Sequence, residues 1–315
     1  MTLASILLVS AILVALLAPS ALERMPLSDI RPGVALASWL SALAGALFFA
    51  ASAAVILIWP EHAPAEGVAD ALMRCLATIQ HNAQSWVGQA LALAAGALAV
   101  VFAVRIAVYA RKQSATRSRV HDLHRDVVSI VARRDQSYGD VMWLDHPLPM
   151  AYSVSGKPGF VVATEGLSSS LSSAEREAVL EHERAHLRGH HHRIVNGIEV
   201  LARVLPFVPL FARAPKAVRT IIEIAADHHA ARATSATAVS SALTAVTDAA
   251  LPRPAGTLGL GDDIELRLWS LRSVAPASHS RLACCVAALG TVALPALVSP
   301  VIVLAASLVA CIALL

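Results

Sequence analysis

The sequence predicts a mainly α-helical membrane protein with four transmembrane helices and a cytoplasmic α+β domain between the third and the fourth. Two observations predict this class. Only 15% of the 315 residues are charged and the mean hydropathy is +0.63, whereas a water-soluble domain carries about 25% charged residues. The apolar residues also cluster in long runs, each with the roughly 20 residues that a bilayer-spanning helix needs.

Four apolar runs are the predicted spans. Three precede residue 111 and the fourth reaches the C-terminus, with approximate bounds 3–22, 34–59, 86–110 and 282–315. The first run has no basic residues before it, unlike a signal peptide, so we interpret it as a retained span. The last contains Pro295 and Pro300; we interpret it as one helix, and a hairpin stays open. The predicted domains are therefore 1–110 (three transmembrane helices), 111–281 (cytoplasmic domain) and 282–315 (closing transmembrane helix).

The loop charges predict the orientation of these spans. Arg24 and Arg31 lie in the first loop, whereas the loop at 60–85 has one arginine against three acidic residues. Five basic residues follow the third run within positions 111–125. Because basic loops stay in the cytoplasm, both termini are predicted outside and residues 111–281 inside. The basic residues are explained by this topology and by anionic lipid, so we predict no direct binding of nucleic acid.

Residues 172–189, SSAEREAVLEHERAHLRG, predict a helix that carries a metal-binding pattern. Ser172 and Glu175 have the spacing of a capping box, which marks a helix start. His182 and His186 are four residues apart and therefore share one helix face. Two imidazoles so placed can bind Zn²⁺, and Glu183 beside the first can act as a general base on water. Before this helix, Ala151–Val154 and Phe160–Thr164 flank SGKPG and predict a β-hairpin.

Two residues compete for the third ligand position. The pattern H-E-x-x-H-x-x-G-x-x-H nominates His192, but proteins with that pattern need a methionine turn downstream, and the last methionine here is Met150. Glu223 lies instead in VRTIIEIAADHHAARAT, among apolar neighbours where a carboxylate needs a partner. We favour Glu223. Asp227, one helical turn later, is placed to orient a ligand histidine through its other ring nitrogen.

The sequence resembles the BlaR/MecR-type integral membrane zinc metallopeptidases. The resemblance rests on AYSVSGKPGFVVATEGLSSSLSSAEREAVLEHERAH, on EIAAD, and on three spans before this region with one after it. It implies a gluzincin-type metalloprotease domain with an HExxH/ExxxD core. The implied zinc ligands are His182, His186 and Glu223, with Glu183 as the base. The best-known members carry a β-lactam-sensing domain after the last span, and we expect a member without it.

The resemblance also implies a function. We expect a zinc endopeptidase of the bacterial inner membrane that cleaves a cytoplasmic or membrane-proximal protein. A BlaI-type transcriptional repressor is the leading substrate, with a role in signal transduction and the antibiotic response. One alternative is an HtpX-like membrane quality-control protease, and another is a non-proteolytic receptor that retains the fold. The expected partners are the protein substrate and the lipid bilayer, and a homo-oligomer stays open.

Overall fold

The computed structural model describes residues 2–27, 30–58, 86–134, 139–156, 158–249 and 261–272, together with 290, 293 and the helical stretch 296–302. The described helices are α1 (Thr2–Glu23), α2 (Pro32–Ile58), α3 (Trp86–Val131), α4 (Glu165–Ser170), α5 (Ser173–Arg188), α6 (His191–Val204), α7 (Pro209–Ala233), α8 (Ala236–Ala249) and α9 (Gly261–Arg272). The described strands are β1 (Arg133–Arg134), β2 (Val141–Leu144), β3 (Ala151–Val154) and β4 (Phe160–Thr164).

The first two helices meet the length and composition needed to cross a bilayer. Ala4–Glu23 and Pro32–Ile56 have mean hydropathies of 2.4 and 2.0, and each reaches the required length of about 20 residues. Large apolar side chains such as Leu17 and Phe48 lie on their outer surfaces, 62% and 64% exposed. Among the described residues, these two helices are the candidate membrane spans.

The third and fourth predicted spans stay predictions. Residues 86–110 form the first half of α3, which continues without a break through the polar residues to Val131. α3 therefore extends beyond the predicted span into the region after residue 110. The predicted span at 282–315 and the loop at 60–85 lie largely or wholly outside the described residues. Within 296–302, Ser299 Oγ accepts a hydrogen bond from Ser10 Oγ of α1 at 2.6 Å.

The four described strands form one mixed sheet in the order β1-β2-β4-β3. β3 and β4 pair antiparallel, with Ala151 opposite Ala163 and Val154 opposite Phe160, which confirms the predicted hairpin. β2 pairs parallel with β4 on its other side, and β4 is buried along its whole length. β3 is therefore an edge strand of the described sheet.

Two apolar cores position the helices. Leu180 of α5 packs with Val161 and Leu167 from the sheet region, so α5 rests on the sheet. Phe211 and Ile222 of α7 belong to a separate cluster with side chains of α1, α2 and α6. Each buried side chain of this size stabilises the folded state by about 1.5–3 kcal/mol. α5 and α7 thus meet while being anchored on different parts of the fold.

Candidate metal centre

The start and end of α5 follow from local interactions in the sequence. The backbone N–H of Ser172 donates to Glu175 Oε2 at 2.8 Å, and the backbone N–H of Glu175 donates to Ser172 Oγ at 3.4 Å. This capping box satisfies N–H groups that have no partner within the helix. The helix ends at Gly189, where a Cβ atom would collide with the ring of His191. The next residue, His190, has a positive φ of 50° and redirects the chain into α6.

Three side chains from α5 and α7 converge on one point. The Nε2 atoms of His182 and His186 lie 3.1 Å apart. Glu223 places Oε2 at 3.4 Å from His182 Nε2 and Oε1 at 3.5 Å from His186 Nε2. One ligand atom from each residue lies within 4.8 Å of the others. Two imidazoles and one carboxylate are the donor set of a catalytic zinc with a position left for water, so the residues fit that ion.

The other ring nitrogen of His182 is held by a buried acid. His182 Nδ1 lies 2.9 Å from Asp227 Oδ1, and the Asp227 side chain is only 1% exposed. Arg267 of α9 donates to both oxygens of Asp227, at 2.7 and 2.8 Å, and its Nη1 lies 3.4 Å from Glu223. When the neutral ring of His182 donates from Nδ1 to Asp227, Nε2 keeps its lone pair for a metal.

His186 is oriented by a different neighbour. Its Nδ1 lies 3.1 Å from Nδ1 of His191, which is itself buried. His192, the ligand of the rejected pattern, instead places Nε2 at 3.1 Å from Ser153 Oγ. The ring of His192 is 6.3 Å from the ring of His186, centroid to centroid. The geometry therefore groups Glu223, and not His192, with the two histidines of α5.

Burial and charge act against each other at these groups. Burial alone would lower the pKa of His182, but hydrogen bonds and charges from Asp227 and Glu223 raise it to about 9. Burial and the charge of His182 lower the pKa of His186 to about 3. Burial would raise the pKa of Glu223, but His182 and Arg267 lower it to about 2. The carboxylates of Glu223 and Asp227 therefore favour a positive charge beside them, which a bound cation would supply.

Glu183 lies in the same cavity as the three candidate ligands. Burial raises the pKa of Glu183, against the opposing charge of His182 and hydrogen bonding with Ser153. The cavity has a volume of about 540 Å³ and is also lined by Ala151 and Tyr152 of β3. Apolar side chains of α4, α5 and α8 make up much of the remaining wall: Leu167, Ala178, Val179, Val239, Ala242, Leu243 and Val246. A base, a cation site and an apolar cavity thus adjoin one edge strand.

Sequence reasoning missed Arg267, His191 and Ser153. Arg267 lies 40 residues after Asp227 in a charged segment, and no spacing rule connects the two. His191 belongs to a run of three histidines in which nothing in the sequence separates one member from another. The contact of His191 with His186 forms because the chain turns after α5, and the sequence pattern does not specify that turn.

Comparison with known proteins identifies the class of the domain. Residues 111–215 match the model of peptidase family M48. This segment is thus similar to a family of metallopeptidases that are typically zinc-dependent. A curated relative is the plastoglobule-localized metallopeptidase 48, chloroplastic, of Arabidopsis thaliana, 31% identical over 100 residues. That match covers 31% of this chain and 29% of the relative's length. No solved structure matches the chain.

The match to peptidase family M48 tests some of the expectations from the sequence and leaves others open. The match to a metallopeptidase family supports the expected metallopeptidase. The BlaR/MecR subgroup stays a prediction. The matched segment includes HERAH but ends at residue 215, before Glu223. The choice of Glu223 as a candidate ligand therefore rests on the geometry described above and on the apolar surroundings of that residue.

Proposed function

We propose that the protein is a zinc endopeptidase in which His182, His186 and Glu223 bind the metal and Glu183 is the general base. One observation carries the proposal: two imidazole nitrogens and one carboxylate converge within 4.8 Å in a cavity that also contains Glu183. The metallopeptidase domain at 111–215 supports it independently.

The chemistry follows from the positions of these side chains. A zinc ion bound there would polarise the scissile carbonyl and lower the pKa of water. Glu183 accepts the proton of the attacking water on its carboxylate and passes it to the leaving amine nitrogen. Burial raises the pKa of Glu183, which brings a carboxylate nearer to the range in which a general base works best at neutral pH. Asp227 keeps the ring of His182 in one orientation throughout.

We infer that the substrate binds as an extended strand beside β3. An edge strand offers backbone groups to an added strand, while the side-chain pockets next to it determine specificity. Ala151 and Tyr152 of β3 and both His182 and Glu183 line one cavity, so a peptide there would present a carbonyl to the base. The largely apolar wall favours a peptide with an apolar side chain next to the scissile bond.

The membrane location and the substrate are the finer parts of the proposal. Two apolar N-terminal helices and the loop charges support a bacterial inner-membrane protein with a cytoplasmic protease domain and with both termini outside. The BlaR/MecR resemblance supports a BlaI-type repressor as substrate, in signal transduction. A second candidate is quality control of membrane proteins, as in HtpX-like proteases. The exposed apolar side chains of Leu148 and Met150 at the cavity favour it, because unfolded segments present apolar residues.

Purified full-length protein with zinc would be incubated with a folded BlaI-type repressor and, separately, with unfolded casein. Glu183→Gln is expected to lower cleavage by about 10²–10⁴-fold while zinc content stays at wild-type level. Glu165→Gln is the matched control, because Glu165 pairs with Arg133 away from the cavity. Cleavage of the repressor alone favours signalling, and cleavage of casein alone favours quality control. Undiminished cleavage by Glu183→Gln would overturn the proposed mechanism.

A further inference from the structure

The helical hairpin formed by α6 and α7 has an apolar tip that the described fold leaves uncovered. The turn between the helices reads Leu-Pro-Phe-Val-Pro, residues 205–209. Phe207 at its centre is 96% exposed, the highest exposure among the large apolar side chains of the described residues. A phenyl ring that stays exposed to water lacks the stabilisation of about 1.5–3 kcal/mol that burial would provide.

The inner side of the hairpin packs against the two candidate membrane spans. Leu210 and Phe211, directly after the turn, are buried in the cluster that contains Leu22 of α1 and Ala35 of α2. Arg213 pairs with Glu23 at the end of α1, at 3.1 Å. The tip is therefore continuous with the ends of the spans that the positive-inside rule assigns to the cytoplasmic surface of the membrane.

The exposed charged side chains of the hairpin are all basic. Between residues 192 and 220, all of which the structure describes, five basic side chains are exposed: Arg193, Arg203, Arg213, Lys216 and Arg219. The single acidic residue in this range, Glu199, is half-buried, pairs with Arg219 and accepts a hydrogen bond from Gln113 of α3. The hairpin thus combines one aromatic tip with several positive charges, and within residues 192–220 it has no exposed carboxylate. The exposed Glu23 of α1 is paired with Arg213. Anionic lipid headgroups attract such a face.

We propose that the α6–α7 hairpin is a further point of membrane attachment, in which Phe207 enters the acyl boundary of an anionic bilayer and the surrounding basic side chains contact its headgroups. This inference rests on the membrane location proposed above. Glu223 lies 14 residues after Pro209 along α7, a rise of at most about 21 Å. A tip inserted by about 5–10 Å would therefore hold the candidate metal centre within reach of the membrane surface.

Site-directed spin labelling tests the position of the tip without any proteolysis. The full chain would carry Glu183→Gln, serine at its four native cysteines, and one labelled cysteine from Phe207→Cys. It would be reconstituted into vesicles of phosphatidylcholine with phosphatidylglycerol. Leu17→Cys, on the exposed face of α1, is the lipid reference, and Ser170→Cys, exposed on the protease domain, is the water reference. The measurement compares label collisions with oxygen and with a water-soluble nickel complex.

The label at position 207 is expected to match Leu17→Cys, with high oxygen and low nickel accessibility. Vesicles of phosphatidylcholine alone, or the added change Arg203→Glu with Lys216→Glu, should shift it towards Ser170→Cys. A label at 207 that behaves as the water reference while Leu17→Cys reports lipid would overturn this inference alone. A label protected from both reagents would overturn it in favour of a protein contact. If Leu17→Cys also reports water, the proposed membrane location fails as well.

Discussion

Replacing Asp227 by asparagine separates two roles of the buried Asp227–Arg267 pair, one at the metal centre and one in the fold. The Asp227 side chain is 1% exposed and that of Arg267 is 14% exposed. Asp227 faces His182 Nδ1 at 2.9 Å and takes two hydrogen bonds from Arg267. The amide has nearly the same shape but carries no charge, and one acceptor becomes a donor that faces other donors.

The expected loss of metal affinity and the expected loss of unfolding free energy differ in size. Loss of the partner that orients a ligand histidine lowers metal affinity by about 10–100-fold, which corresponds to about 1.4–2.7 kcal/mol of binding free energy. Leaving one member of a buried charge pair without its partner lowers the free energy of unfolding by about 3–5 kcal/mol. Asp227→Asn is therefore expected to weaken zinc binding and to destabilise the metal-free protein. Arg267→Met should destabilise it while keeping zinc affinity closer to wild type, because Asp227 still faces His182.

Zinc affinity would be measured by competition with a chromophoric chelator, and stability by thermal unfolding of the chelator-treated protein. The double variant Asp227→Asn with Arg267→Met is expected to regain part of the lost stability, because no uncompensated charge remains buried. Wild-type zinc affinity in Asp227→Asn would refute the argument that Asp227 orients His182. Additive losses of stability in the double variant would show that the two side chains are not energetically coupled.

Three further outcomes are expected. Glu223→Ala should lose zinc while His192→Ala keeps it, as metal analysis of the dialysed proteins will show; zinc retained without Glu223 would contradict the ligand set. Ser172→Ala should cost about 1 kcal/mol of unfolding free energy through loss of the helix cap, and an unchanged thermal transition would contradict the capping box. Hydrogen bonds from Ser241 and Ser172 lower the pKa of Glu175. The unfolding free energy that Glu175 contributes is thus complete above its ordinary pKa of 4.5 and is lost as the pH falls through the lowered value. Glu175→Gln should therefore make the unfolding free energy less dependent on pH in the acid range.

The parts of the fold that short-range interactions determine could be predicted from the sequence. The capping box at Ser172 and the C-cap at Gly189 set the limits of α5, and both depend on residues within one helical turn. The hairpin of β3 and β4 likewise follows from a turn of glycine and proline between two β-branched and aromatic segments. In each case the residues that decide the structure are neighbours along the chain.

The third candidate ligand could be predicted for a different reason. Glu223 lies among isoleucines and alanines, where a carboxylate must have a partner, and the structure places it beside His182 and His186. The competing pattern failed because local spacing does not determine where His192 points. The left-handed turn at His190 starts a new helix, and the ring of His192 then contacts Ser153.

Long-range pairings could not be predicted in this way. The strand β2, VMWL, is only four residues long, and its parallel pairing with β4 joins segments whose order in the sheet no local pattern specifies. Arg267 reaches Asp227 from a separate helix, and its own segment, DDIELRLWSLR, looks like an ordinary solvated helix. Buried ion pairs of this kind depend on how helices pack, and packing is a property of the whole chain.

The three candidate ligands are divided between two differently anchored parts of the protein. His182 and His186 belong to α5, which rests on the sheet, whereas Glu223 directly follows Ile221 and Ile222, which are packed in the cluster of α1 and α2. The distances between the candidate ligand atoms therefore span the junction between the sheet and the candidate membrane helices. A shift of about 1 Å in a catalytic group can change a rate by about 100-fold. A small sliding of α1 and α2 would thus change the distances between the candidate ligands directly, so those distances depend on how α1 and α2 pack against the rest of the fold.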